Sequence, residues 1–134
     1  MRTRISAAGI QGDFVQAVHT LSGENVFACN QCGKCSAGCP IAFHMDLLPS
    51  QVIRFIQLGL KEVLESQTIW ACAACLTCVT RCPKAIDLPR VMEALRIIQM
   101  ERTGNHLEPG ALDPEWLDEL PQIAIVSGFR KFST

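Results

Sequence analysis

Apolar residues recur along this chain at intervals of three and four, the spacing of helices that bury one face. Val52, Ile53, Ile56, Leu60, Val63 and Leu64 fall on one such face, and Leu88, Val91, Met92, Leu95 and Ile98 on another. Pro49 and Pro89 stand near the two helix starts, where proline is tolerated, and Asp46 and Asp87 read as caps or first-turn acids. Nearer the amino end, Asp13 is positioned to cap a short helix with Phe14, Val15, Val18 and Leu21 on its buried side. The stretch from Thr103 to Gly110 reads as a turn-rich linker. Asp113-Pro114 then forms a cap and first-position pair for a helix reaching Leu120. Period-two alternation of aromatic and β-branched residues is scarce, so the chain reads as mainly α rather than as paired hairpins. Both apolar stripes read as ordinary core.

Between these helices lie two copies of one pattern. Cys29, Cys32, Cys35 and Cys39 precede Pro40; Cys72, Cys75, Cys78 and Cys82 precede Pro83. Both read C-x2-C-x2-C-x3-C-P, each followed by a short linker, a proline and a helical stripe, so the chain contains an internal repeat. All eight cysteines lie inside the two copies. As a fraction of the chain they fall short of a disulfide scaffold. Zinc modules usually present two C-x2-C pairs per metal, without a third cysteine at the same spacing. The pattern is instead that of cubane 4Fe-4S ligation, in which three closely spaced thiolates wrap one cluster and the cysteine before the proline serves the other. On that rule one cluster takes Cys29, Cys32, Cys35 and Cys82, and the second takes Cys72, Cys75, Cys78 and Cys39. Such an exchange ties the halves together, so cluster binding and folding are expected to be coupled.

Composition narrows the partners. With 134 residues, 49% of them hydrophobic and 19% charged, the chain suits a single domain, 1–134, with a modest core that the clusters would extend. Twelve basic residues against 13 acidic ones argue against a polyanionic partner such as nucleic acid. The opening MRTRISAAGI lacks the apolar stretch of a signal peptide, and no segment has the length of a membrane span, so the cytoplasm is expected, without direct membrane insertion. No GxGxxG loop offers a flavin or nicotinamide site. The tail at about 121–134 admits two readings. It is a final core element, or a docking segment whose Ile123, Ile125, Val126, Phe129 and Phe132 anchor in a partner while Arg130 and Lys131 meet its rim.

Several residues near the cysteines carry an alternative beside the bland reading. Gly33 and Gly38 lie where backbone must approach sulfur closely, and the second quartet has substitutions such as Ala74 there, which implies unequal hydrogen bonding and potential. Lys34, Arg81 and Lys84 either favour a reduced cluster and orient a partner, or are solvated surface charges. Trp70 either shields a cluster from water or fills the core. His44 reads as a capping or surface histidine, and His19 and His106 as structural or surface residues.

The strings CNQCGKCSAGCP and, after Ile69-Trp70, CAACLTCVTRCPKAIDLP, with their proline-led helices and the final GFRK tail, resemble the C subunit of heterodisulfide reductase over nearly the whole chain. The resemblance implies an α-helical ferredoxin with two 4Fe-4S clusters, ligated by the eight cysteines as assigned above. It also implies a hetero-oligomer. Electrons would pass from the A subunit, which bears flavin and iron-sulfur centres, to the B subunit, whose CCG repeats build the disulfide-reducing clusters. This chain has no CCG and no spare cysteine, so it is expected to relay electrons without reducing a disulfide itself. The substrate of such an assembly, a heterodisulfide of two thiol coenzymes as in methanogenesis or a sulfur carrier as in sulfur oxidisers, would be handled by the other subunits. Two alternatives stand: a relay component of a sulfur-oxidising or quinone-linked oxidoreductase, and a zinc-stabilised interaction module.

Overall fold

The structure, a computed structural model, describes residues 7–103 and 113–132. The chain divides into two compact units, Met1–Gln99 and Met100–Thr134. Among the described residues every regular element is helical, which bears out the mainly α reading.

The first unit contains α1 (Ala7–Ile10), α2 (Asp13–Ser22), α3 (Lys34–Ala37), α4 (Pro49–Gln57), α5 (Thr68–Ala71), α6 (Thr77–Arg81) and most of α7 (Leu88–Thr103). Its core joins Phe14, Val15 and Val18 of α2, Val52, Ile53 and Ile56 of α4, and Leu88, Val91, Met92 and Leu95 of α7. Ile98 is partly buried against this cluster, so the second stripe packs as its spacing predicts. Burying an aliphatic side chain of this size contributes about 1.5–3 kcal/mol. Cys29, Cys72 and Cys78 pack against the same core, which places the cysteine loops on its rim.

The first stripe does not stay in one helix. α4 ends in a Schellman turn: the Gly59 N–H donates to Ile56 O at 2.9 Å and the Leu60 N–H to Phe55 O at 2.9 Å, with Gly59 at φ 69°. Leu60, Val63 and Leu64 are still buried, but the last two lie on a 3₁₀ turn, Lys61–Glu65. The apolar spacing carries across the break because 3₁₀ and α periods differ little over one turn.

Two other details differ from the sequence reading. Asp13 is the first residue of α2, and Gly12 occupies the capping position. Leu21 is 46% exposed, while Ser22 is buried with its hydroxyl donating to Val18 O at 2.6 Å, so a satisfied polar group takes the inward position. Pro49 and Pro89 occupy the first and second positions of their helices. Asp87 caps α7, accepting from the Arg90 N–H at 3.2 Å. Asp46 does not cap α4, whose capping position is Leu48; its bonds to the start of α5 are described below.

The second unit contains α8 (Pro114–Glu119) and α9 (Gln122–Phe132). Asp113 accepts from the Glu115 N–H at 3.0 Å, the capping pair read from the sequence. In α9, Ile123 and Val126 are exposed. His106 and most of the expected Thr103–Gly110 linker lie outside the described residues.

Candidate metal centre

Each cysteine loop starts from a short helical turn and wraps by means of left-handed backbone. In the first loop, Val26–Ala28 leads into Cys29, and the chain then takes positive φ at Gln31 (57°) and Gly33 (75°) before α3. In the second, α5 leads into Cys72, and positive φ falls at Ala74 (50°) and Leu76 (62°) before α6. The repeat therefore extends to the dihedral angles, since the left-handed residues stand two and four places after the first cysteine in both copies. For a residue with a Cβ that conformation costs roughly 1–2 kcal/mol. Alternating right- and left-handed backbone turns successive N–H groups toward an anion, and the loop tolerates the strain to gain that concavity. In the first loop, the Gln31 N–H reaches Cys29 Sγ at 3.4 Å, and its side-chain Nε2 lies 3.7 Å from the same sulfur.

The two loops meet through α3 and α6, which pack on one another. Gly38 and Arg81 are equivalent positions in the repeat, and they face each other. A Cβ on Gly38 would stand 2.6 Å from Arg81 Cδ. Gly38 thus makes room for the arginine, a reason other than the sulfur approach expected from the sequence. The position equivalent to Gly33 is Leu76 rather than Ala74.

The segment after Cys39 folds back, bringing Met45 Sδ to 4.0 Å from Cys39 Sγ. Cys39 then joins Cys72, Cys75 and Cys78 around one cavity, walled otherwise mainly by apolar residues including Ile41, Met45, Leu88 and Met92. Three of these cysteines come from the second repeat and one from the first. On the other side, Cys29 and Cys35 lie close enough for the charge of one to act on the other. Cys82 directly follows α6, which lies against α3 and its Cys35.

These sulfurs are poor sites for bare thiolates. Burial pushes the Cys78 thiol up to about 11, with Cys72, Cys35 and Cys75 adding repulsion, and burial likewise raises Cys35. Cys75 is lowered instead, by its hydrogen bond to Thr77 Oγ1 at 3.4 Å. A set of thiols that repel one another as anions needs a cationic group among them, and iron supplies that charge on displacing the protons. Among the described residues no three His, Cys, Asp or Glu side chains converge tightly enough to hold a single metal ion. A donor set made up of thiols alone fits the ligation of a cubane cluster.

Sequence reasoning missed three residues that anchor these loops. Gln57 of α4 is buried and its Nε2 donates to Val26 O at 2.8 Å and Cys29 O at 3.2 Å. Arg96 of α7 does the corresponding work on the second loop, donating from Nε to Ile69 O at 2.6 Å and from Nη2 to Cys72 O at 2.7 Å. Asp46 accepts from the hydroxyls of Ser66 (2.6 Å) and Thr68 (2.7 Å) and from the N–H groups of Gln67 and Thr68 (3.0 Å each). It ties the stretch of chain after Cys39 to the turn that leads into Cys72. Each signal was a lone polar residue in an apolar stripe or linker.

Lys34, Arg81 and Lys84 are exposed, as is His44, whose ring lies 4.3 Å from that of Phe43. His19 Nδ1 is hydrogen-bonded to Glu24 O at 3.0 Å beyond the end of α2. Trp70 is 54% exposed and so is not core filler.

A family model described as a 4Fe-4S dicluster domain matches residues 25–86, the span holding both loops. The chain is 33% identical over 97 residues to the iron-sulfur C 2 subunit of the CoB–CoM heterodisulfide reductase of Methanocaldococcus jannaschii, covering 69% of this chain and 52% of the relative. It is 31% identical over 105 residues to the C2 subunit of the H2/formate:CoB-CoM heterodisulfide,ferredoxin reductase of Methanococcus maripaludis, covering 75% and 56%. This chain is a relative of the heterodisulfide reductase C subunits. A protein of Archaeoglobus profundus named as like that C subunit is 34% identical over 88 residues, covering 64% and 47%. The chain spans about half the length of these curated relatives. With its dicluster domain and eight cysteines, the chain is an α-helical ferredoxin of two 4Fe-4S clusters. No helix among the described residues is long and apolar enough to cross a membrane.

Proposed function

We propose that the chain relays single electrons as the C subunit of a heterodisulfide-reductase-like assembly. The observation that carries this reading is the meeting of Cys39 with Cys72, Cys75 and Cys78 around one cavity, which supports a crossed ligand set linking two clusters into one conduit. Cys39 joins Cys72, Cys75 and Cys78 as ligands of one cluster, and Cys82 joins Cys29, Cys32 and Cys35 as ligands of the other. When bound, the clusters supply one-electron reduction at sites held in nearly the same geometry in both oxidation states. The chain's residues do the rest. α3 and α6 hold the two ligand sets side by side, the apolar wall of Ile41, Leu88 and Met92 limits water at one of them, and the left-handed backbone at Gln31 puts its N–H on Cys29 Sγ.

The relatives' names supply the setting, a heterodisulfide reductase of several subunits. In this reading an A subunit with flavin and iron-sulfur centres delivers electrons to the chain, and a B subunit with CCG repeats spends them on a disulfide. The exposed Ile123 and Val126 of α9 suit the tail to docking on one of these partners. The assembly works in the cytoplasm, and this chain contributes no disulfide chemistry of its own.

The crossing gives the test. Cys39→Ser is expected to alter the paramagnetic resonance signal of the cluster held by Cys72, Cys75 and Cys78, and Cys82→Ser that of the other. Paired with Cys75→Ser and Cys32→Ser, each variant should reproduce the signature of the opposite repeat's variant. If Cys39→Ser instead reproduces Cys32→Ser, ligation is uncrossed and the proposal fails.

A further inference from the structure

The two loops are anchored alike in geometry and unlike in charge. Gln57 and Arg96 stand at corresponding places in α4 and α7. Each reaches the carbonyl of the first cysteine in its loop and the carbonyl three residues earlier. One anchor is a neutral amide and the other a permanent cation. Side chains also touch the cysteine sulfurs themselves: Gln31 at Cys29, Ser36 at Cys35 and Met45 at Cys39 in the first repeat, and Thr77 at Cys75 in the second. Those contacts do not separate the halves as a full charge does.

We infer that this Gln57/Arg96 exchange makes the centre of Cys72, Cys75, Cys78 and Cys39 the easier of the two to reduce, so that one added electron comes to rest there. Reduction adds negative charge to a cluster, and a cation held against its ligand loop favours the reduced form. The inference rests on the two-cluster reading above.

The other charges nearby must be set against Arg96. Glu93 pairs with it at 3.2 Å but is 58% exposed, whereas the Arg96 side chain is 21% exposed and bonded directly to the ligand residue Cys72. Asp46 opposes it from farther off, being exposed and bonded to Thr68, four residues before Cys72. On the first loop, Arg54 reaches Gln57 Oε1 at 3.4 Å, so its cation is exposed and one side chain removed from Cys29. Lys34 and Lys84 are exposed on α3 and the turn after Cys82; Arg81 of α6 is exposed as well, and its guanidinium lies against Gly38, next to Cys39 of one ligand set, while its backbone adjoins Cys82 of the other, so it does not separate the halves. Water screens exposed charges strongly, and the least exposed charge dominates. That charge is Arg96.

With this ordering, an electron on the Cys29 side passes to the Cys72 side, the first centre being oxidised by one electron and the second reduced by one.

The test is a reductive titration of the reconstituted full chain, following both cluster signals by paramagnetic resonance. Arg96→Gln should lower the higher of the two midpoint potentials and leave the lower in place. The electron's preference for the Cys72 side should fall about tenfold, equivalent to 59 mV for a one-electron couple. Gln57→Arg should raise the lower potential. Arg96→Lys keeps the charge but not the paired hydrogen bonds, and should stay near the parent; a merely structural anchor would make Lys and Gln equally disruptive. A fall in the lower potential with Arg96→Gln, no change in either, or equal shifts for Lys and Gln would overturn the inference while leaving two reducible clusters. Absence of two reducible clusters in the parent chain would overturn the electron-relay reading, and this inference with it.

Discussion

At the scale of single residues, Asp46 joins segments 20 or more residues apart through four hydrogen bonds. Desolvation by its neighbours pushes the carboxyl upward, but the hydroxyls of Ser66 and Thr68 and the N–H groups of Gln67 and Thr68 outweigh this and hold it far below the ordinary carboxylate value of 3.8. A folded-state value depressed below the unfolded one contributes stability that is complete above pH 3.8 and is lost as pH falls toward the folded value. Asp46→Asn should therefore destabilise the chain by about 1 kcal/mol near neutrality, a modest figure because the site is exposed and screened. The gap should narrow below about pH 4. Urea unfolding of both proteins at several pH values measures it, and a gap that widens in acid would contradict this role. The sequence marked Asp46 only as a cap, because its partners lie on a distant turn. The cysteines were legible because cluster ligation is written in local spacing. Gln31, Ala74 and Leu76 were not, since nothing in their identity announces left-handed backbone.

At the scale of elements, helix type and face could be read, while helix length could not. The stripe from Val52 to Leu64 keeps its period through the Gly59 turn, so hydrophobicity alone gives no stop signal. Gly59 does, on two counts: its φ of 69° disfavours a side chain, and a Cβ there would run into the Gly9 backbone. Gly59→Ala should cost at least about 1–2 kcal/mol, from the left-handed penalty alone. Thermal unfolding should show it, with cluster content per folded chain unchanged. An alanine variant as stable as the parent would mean that α4 can end without this turn. α7 shows the opposite case, since its stripe, its Asp87 cap and its second-position proline all agree with the observed start.

At the scale of the whole molecule, the proposed crossing makes two copies of one cysteine motif a pair, since each repeat would offer a ligand to the other. The crossed assignment was read from the spacing and the proline after the fourth cysteine, and Cys39 lines one cavity with three cysteines of the second loop, which supports the proposal. What the sequence withheld was the tuning, for the Gln57/Arg96 pair sits within apolar stripes and gains meaning only when the loops are superimposed. Thiols on the core rim that repel one another as anions, Cys78 with Cys72, Cys35 and Cys75, and Cys35 with Cys29, make the clusters part of the fold. The most direct test is an anaerobic count of iron, acid-labile sulfide and zinc in the purified, reconstituted chain, with a paramagnetic resonance spectrum taken after reduction. The account predicts about eight iron and eight sulfide per chain, little zinc, and a spectrum of two interacting reduced cubanes. Zinc in stoichiometric amount with no reducible signal would contradict it and leave a structural module in place of a relay.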